Sequence, residues 1–421
     1  MELKPDIKEA KERLDAWWDH EILDRPIISY YIPKKGRIAA GYNDARCQDW
    51  TLALNYDTIE EALNGFEKRA NRTVFGGEAI PTYHPNYGAG IMAAIFGIEP
   101  KFQSDTVWFN CPTNVKDIIS LLENVKLNRN NVWYSRLITI TEYAAKRANG
   151  NYHVAMVDLG GVLDILSSFL GPTNMILTMK RYPEIIDTCR EIILEKLLLV
   201  YDKLQDIIEK HTDGCNAWLN IWCKKRWYPV QCDFIAMLNP KWFKRFALPD
   251  IITQIEHMDY AIYHMDGPYQ IPYLDDFLNI SNLTGIQWVP GSGNLLPGSD
   301  EWKPLYKKIQ KAGKNIVIDT LPHLVPHIFR SLDKEGLYVR TYYISNRTAN
   351  FYLPGFMGGQ DAKLINNTVN WAKDNNRNNI KKEEFDEFLN NMSLILQDKV
   401  KKELLSEINT ILKGDLALRF T

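Results

Sequence analysis

Cysteine is scarce in this chain: six in 421 residues (Cys47, Cys111, Cys189, Cys215, Cys223 and Cys232), none arranged as CxxC. That excludes the disulfide framework of a small secreted domain and predicts a cytoplasmic protein with reduced thiols. Long apolar runs are missing too. No window approaches about 18 uncharged apolar residues, so no transmembrane helix is expected. The opening MELKPDIKEAKERLDAWWDHEI alternates in charge and has no apolar stretch of signal-peptide length. Neither sign of charge dominates, with 50 basic residues against 52 acidic and a formal net charge of −2. No basic stripe marks a nucleic-acid surface. The densest basic run, KKRWYP at 224–229, reads as a solvated loop or a patch for an anionic substrate. No GxGxxG follows the first strand candidate, and no nucleotide cofactor is expected.

What remains is the composition of an ordinary globular protein, 45% hydrophobic and 24% charged, which is ample for a large core. Aromatics are plentiful, with 12 Trp and 21 Tyr, and many fall near strand ends: Tyr83, Trp222, Trp288 and Tyr342 among them. They either line a ligand pocket or pack helices against a sheet.

Apolar runs of strand length alternate with amphipathic segments. The strand candidates are IISYYI (27–32), AIPTY (79–83), HVAMVDL (153–159), AWLNIW (217–222), FIAML (234–238), YAIYHMD (260–266), GIQWV (285–289), NIVIDT (315–320) and LYVRTYY (337–343). Several are apolar almost throughout, as in parallel sheets buried on both faces. Residues 183–210 form the clearest helix; Thr173 is a candidate N-cap, and Asn239 with Pro240 should open another helix that Pro249 limits. Residues 382–413 read as a final amphipathic pair or one long helix. Repeated strand–helix order predicts a (β/α)8 barrel with an N-terminal helical extension and C-terminal helices. It spans 1–421 as a single domain, with its core at about 20–380. Nine candidates for eight places mean that at least one is false, with FIAML or AIPTY the suspects.

In a barrel, reacting groups belong at the C-terminal strand ends. Those ends offer Asp158, Trp222, Cys232 with Asp233, His264 with Asp266, Gln287 with Trp288, Asp319 and Tyr342. His264 and Asp266, two residues apart on one strand, face the same side. A carboxylate there needs a partner, a metal or water. Either Asp266 caps the turn at Gly267-Pro268 beside a structural His264, or the pair belongs to a site. In the second case His264, Asp266 and Cys232 make a candidate zinc set with one position left open. Asp158 and Asp233 are candidate acid, base or anchor, and Arg37 in KKGR is a candidate carboxylate anchor. Tyr83, His84, Trp222, Gln287, Trp288 and Tyr342 are candidate substrate contacts. The glycine-rich GSGN at 291–294 lacks the Lys-Ser/Thr of a phosphate loop and reads as a plain loop.

Several segments taken together resemble the uroporphyrinogen decarboxylase superfamily. They are RPIISYYIPKKGR, GGEAIPTYHPNYGAGIMAAIFG, DLGGVLDILSSFLGPTNMILTMKRYPE, CDFIAMLNPKWFKRFALPDI, YHMDGPYQIPYLDDFLNISNLTGIQWVPGSG and EGLYVRT, in family order over roughly residues 20–345. The resemblance implies the same barrel and two kinds of chemistry. One group decarboxylates uroporphyrinogen without a cofactor, using an arginine-rich first loop and an aspartate near the second strand. The other comprises cobalamin-linked methyltransferases, with zinc held by a His-x-Cys pair and a distant Cys.

This chain departs from both patterns. PKKGR keeps only Gly36 and Arg37 of the expected Arg-Gln-Ala-Gly-Arg, and Phe75-Gly76-Gly77 replaces Phe-Ser-Asp. Asp266 stands where the thiolate of His-x-Cys-Gly is expected, and no cysteine lies near Ser345. The preferred expectation is one-carbon transfer between a small methylated compound and a corrinoid or folate carrier, zinc-assisted, with a corrinoid carrier protein as partner. A decarboxylase of a tetrapyrrole-like substrate and a non-catalytic binding barrel are the alternatives. A homodimer is compatible with the resemblance.

Overall fold

A computed structural model describes residues 3–35, 58–103, 107–109, 113–291, 294–320 and 322–342. Arg37, Ser345, residues 292–293 of GSGN and the expected C-terminal helices lie outside the described residues.

The centre is a seven-stranded sheet in the order β2-β1-β11-β10-β9-β8-β7. Its strands are β1 (Ile27–Pro33), β2 (Thr73–Gly77), β7 (Trp227–Gln231), β8 (Tyr260–Asp266), β9 (Gly285–Val289), β10 (Asn315–Asp319) and β11 (Leu337–Tyr342). All neighbours run parallel except β2, which is antiparallel to β1. A separate parallel pair joins β3 (Thr82–Tyr83) to β6 (His153–Val154), and a small antiparallel ribbon joins β4 (Lys101–Phe102) to β5 (Val107–Trp108). The residues of β7, β9, β10 and β11 are all buried, as the near-continuous apolar runs required.

A single ladder of eight parallel strands is not present among the described residues. Side chains instead link the long sheet to the β3–β6 pair. On one flank the Tyr228 hydroxyl of β7 accepts from the Leu159 N–H at 2.7 Å and donates to the Val157 carbonyl at 3.1 Å. On the other, the Ile28 N–H of β1 donates to Glu78 Oε2 at 3.0 Å, and the Glu78 N–H donates to the Ile28 carbonyl.

Two expected strands are not strands. AWLNIW is a turn: Asn216 Oδ1 accepts the Ala217 N–H, and Asn220 takes a left-handed backbone at φ 58°. Asparagine side chains satisfy nearby backbone and tolerate that conformation, which ends extended pairing. FIAML belongs to a short 3-10 helix, Asp233–Met237, because both carboxylate oxygens of Asp164 take its first N–H groups, at 3.0 and 2.7 Å. Two strands of the long sheet, like both strands of the β4–β5 ribbon, had no sequence candidate. WYPVQ is β7, whose Pro229 lacks a ladder donor, a residue suited to the sheet edge that β7 occupies. TVFGG is β2, whose glycines mask its extended character.

The long helix appears as Pro183–Glu209. Gly171, not Thr173, precedes the helix Pro172–Arg181. Asn239 caps the turn beginning at Pro240, as expected, but Pro249 does not end the segment. The chain continues through a π turn (Phe243–Ala247) into the helix Leu248–His257, in whose first turn Pro249 sits. No single helix among the described residues is long and apolar enough to cross a membrane. One pair, Val162–Leu170 with Pro172–Arg181, passes by length and composition together, but it is bent by 102° and, Leu177 apart, its large apolar residues pack into or against the core.

Candidate metal centre

Period-two alternation along β8 places His264 and Asp266 on one side, at the C-terminal end of a parallel strand. Asp233 stands just beyond the end of β7, the neighbouring strand. Ligand atoms of Asp233, His264 and Asp266 all lie within 4.8 Å of one another. His264 is buried, Asp266 half-buried, and Asp233 keeps an open side to solvent.

The surroundings fix these groups. The His264 ring meets Trp218 edge-on at 5.2 Å between centroids. Its Nδ1 lies 2.6 Å from Gln287 Oε1, on the register partner of His264 in β9. Gln287 Nε2 donates to Asp319 Oδ2 at 2.7 Å, and the same oxygen receives Arg340 Nη2 at 2.5 Å. Gln270 Nε2 approaches Asp233 Oδ1 at 3.4 Å, while its Oε1 accepts from the Tyr263 hydroxyl. Beside them, Asp158 Oδ1 accepts from Gln231 Nε2 at 2.8 Å and from the Gly160 N–H at 2.9 Å. The glycine pair after Asp158 is sterically required. Gly160 has φ +84°, and a Cβ there would lie 2.6 Å from Gly90 Cα. At Gly161 it would lie 2.5 Å from the Gln231 carbonyl oxygen.

Like charges crowd this mouth. Burial, then the carboxylates of Asp164, Asp266 and Asp158, push Asp233 well above the usual carboxylate range. Burial raises Asp266, with His264 opposing, and raises Asp158 to about 7. Among the described residues no lysine or arginine forms an ion pair with Asp158, Asp233 or Asp266. Carboxylates held together without a counter-cation either keep protons or gain a cation. One imidazole and two carboxylates, with an open side, suit zinc or another divalent first-row ion that leaves a position for substrate.

Cys232 is buried and outside this group. Its backbone is extended, with φ −159°, so its side chain points away from the one that follows, and Asp233 takes the place expected for the thiolate. Gln287 turns inward but spends its amide on His264 and Asp319. Trp288, one residue on, faces the opposite way and packs edge-on against Trp302 at 5.0 Å. Trp222 lies at the other end of the sheet, with Lys11 over its ring and His153, the first residue of β6, at its edge. Tyr83 is buried edge-on against Phe66. His84 is buried at the start of the loop that brings the Ile91 N–H to the Asp158 carbonyl. Tyr342 is buried at the end of β11.

Gln231, Asp164, Gln270 and Arg340 were not among the sequence candidates. Only Arg340 left a trace, as a charge in the middle of the apolar run LYVRTYY.

No family model and no curated protein matches the chain. Among solved structures, a methyltransferase from Methanosarcina mazei is similar, with a TM-score of 0.53 and 10% sequence identity. The match covers 80% of this chain and 94% of that one, a likeness of fold.

Proposed function

We propose that this chain is a metal-assisted methyltransferase on a (β/α)8 barrel of the uroporphyrinogen decarboxylase superfamily. In this reading it works in the cytoplasm and moves a methyl group between a small methylated compound and a corrinoid or folate carrier. The observation that carries the proposal is the convergence of Asp233, His264 and Asp266 at adjacent strand ends, in a fold similar to that of a methyltransferase. The three side chains would hold a zinc ion, which supplies Lewis acidity that lowers the pKa of a thiol or alcohol by several units. Gln287 orients the imidazole. Asp158, poised at about 7, takes up the proton that the acceptor releases. The open side of Asp233 is where substrate enters. A corrinoid carrier protein is the macromolecular partner, and a homodimer the assembly.

Asp158 also favours a second reading. A carboxyl titrating near neutrality can return a proton to the carbon left by decarboxylation, and Arg37 would anchor the substrate's carboxylates. The two readings separate in one set of assays. Zinc-loaded protein should demethylate methylcobalamin in the presence of a small thiol, and H264A should lose that activity. Absence of zinc binding in careful titrations, or full activity in H264A, would remove the methyltransferase reading. Uroporphyrinogen turnover sensitive to R37A would install the other.

A further inference from the structure

Four side chains on four consecutive strands form a hydrogen-bonded line with a fixed direction: His264 on β8, Gln287 on β9, Asp319 on β10 and Arg340 on β11. All four are at most 3% exposed. The direction follows from which atoms can donate. Arg340 only donates; its Nη1 reaches the Leu219 carbonyl and its Nη2 reaches Asp319 Oδ2. An ion-paired carboxylate only accepts. Gln287 therefore turns its NH2 end toward Asp319, 2.7 Å away, which leaves its carbonyl oxygen facing His264. That oxygen lies 2.6 Å from Nδ1, so Nδ1 carries the hydrogen. In a neutral ring Nε2 then has a free lone pair.

We infer that Gln287 and Asp319 are positioning residues that set the tautomer of His264, with Arg340 as the donor that gives the line its direction. Resting on the metal reading above, this assigns Nε2 as the nitrogen offered toward Asp233 and Asp266. A network that only held the strands together would have no stake in its direction. With a donor in place of Asp319 the Gln287 amide would turn round and still tie the strands together, but the ligand nitrogen Nε2 would then carry the hydrogen.

The test has one arm without metal and one with it. Nitrogen-detected NMR of the imidazoles in metal-free protein reports the tautomer, and the resonance that vanishes in H264A assigns His264 among the eight histidines. Wild-type protein should show Nδ1–H. D319N, whose amide can donate and so releases Gln287 to flip, should show a mixture of tautomers. Q287M, which keeps the side chain's length, should do the same. In competition titrations with a chelator, both variants should bind zinc about 10- to 100-fold more weakly than wild type. An Nε2–H ring in wild-type protein overturns the inference, and that measurement stands even if both variants fail to fold. Unchanged tautomer and zinc affinity in the two folded variants overturns it as well. A wild-type ring that is Nδ1–H and mixes in the variants, in a protein that binds no zinc, upholds the positioning line and sinks the metal reading instead.

Discussion

The two ends of the sheet handle charge in opposite ways. At the N-terminal ends of the strands most prominent charges have an opposite partner; Lys314, just ahead of β10, instead donates to the Ile280, Ser281 and Leu283 carbonyls. Glu78 is buried against Arg25 at 2.6 Å and Arg13 at 3.6 Å. Arg226, just ahead of β7, meets Glu209 and Asp206, both at 2.7 Å, and Lys11 meets Asp213 at 2.7 Å. At the C-terminal ends Asp233 and Asp266 crowd around His264, with Asp158 adding its charge beside Asp233 and no basic ion-pair partner for the three among the described residues. Paired charges hold elements together and stay in their usual ionisation states. Unpaired carboxylates are a standing cost that a bound cation or a held proton relieves. The contrast sets an end whose charges are mostly paired against the end that carries the candidate site.

That contrast can be broken, most forcefully at the paired end. E78A leaves Arg25 and the Ile28 N–H without their buried acceptor. It should cost about 3 kcal/mol, the lower end for breaking a buried pair, because Arg25 is partly open to water. Urea unfolding should show a lower midpoint at an unchanged slope; a loss under about 1 kcal/mol would mean that the pairing is incidental.

At the unpaired end, pH is the lever. Asp158 keeps its proton up to about pH 7 in the fold, against roughly pH 4 when unfolded. The folded chain thus binds the extra proton between those values. This contribution is complete below about pH 4 and is lost as pH rises through about 7. Unfolding midpoints followed from pH 5 to 8 should fall in wild-type protein and stay flatter in D158N. Equal slopes would sink the assignment.

A cation should relieve the same end. Zinc at about 100 times its dissociation constant should stabilise wild-type protein by about 2.7 kcal/mol and H264A hardly at all. Equal gains in both proteins would place the zinc elsewhere. The smallest effect is expected from D233N, which replaces a carboxyl that burial and its neighbours already hold toward the protonated form. It should change metal-free stability by no more than about 0.5 kcal/mol. A clear loss would show that Asp233 serves the fold.

Legibility in the sequence followed the range of the interaction. His264 and Asp266 were readable because two residues on one strand share a side whatever lies around them. Asn239-Pro240 and the helix at 183–209 were readable for the same reason, their causes lying within a turn or two. AWLNIW misled because its apolar content matched a buried strand while Asn216 and Asn220 turned the backbone. WYPVQ hid behind its basic flank and its proline.

Sequence alone determined the balanced composition, the alternation of buried strands and helices, and the pairing of an imidazole with a carboxylate, all consequences of period and local chemistry. Tertiary structure decided that Asp233 rather than Cys232 joins them, because one residue of offset in an extended chain reverses which side faces the mouth. It also brought Gln287, Asp319 and Arg340 into line. Hydrogen bonds between strands depend on register, and register is set only when the whole sheet is assembled.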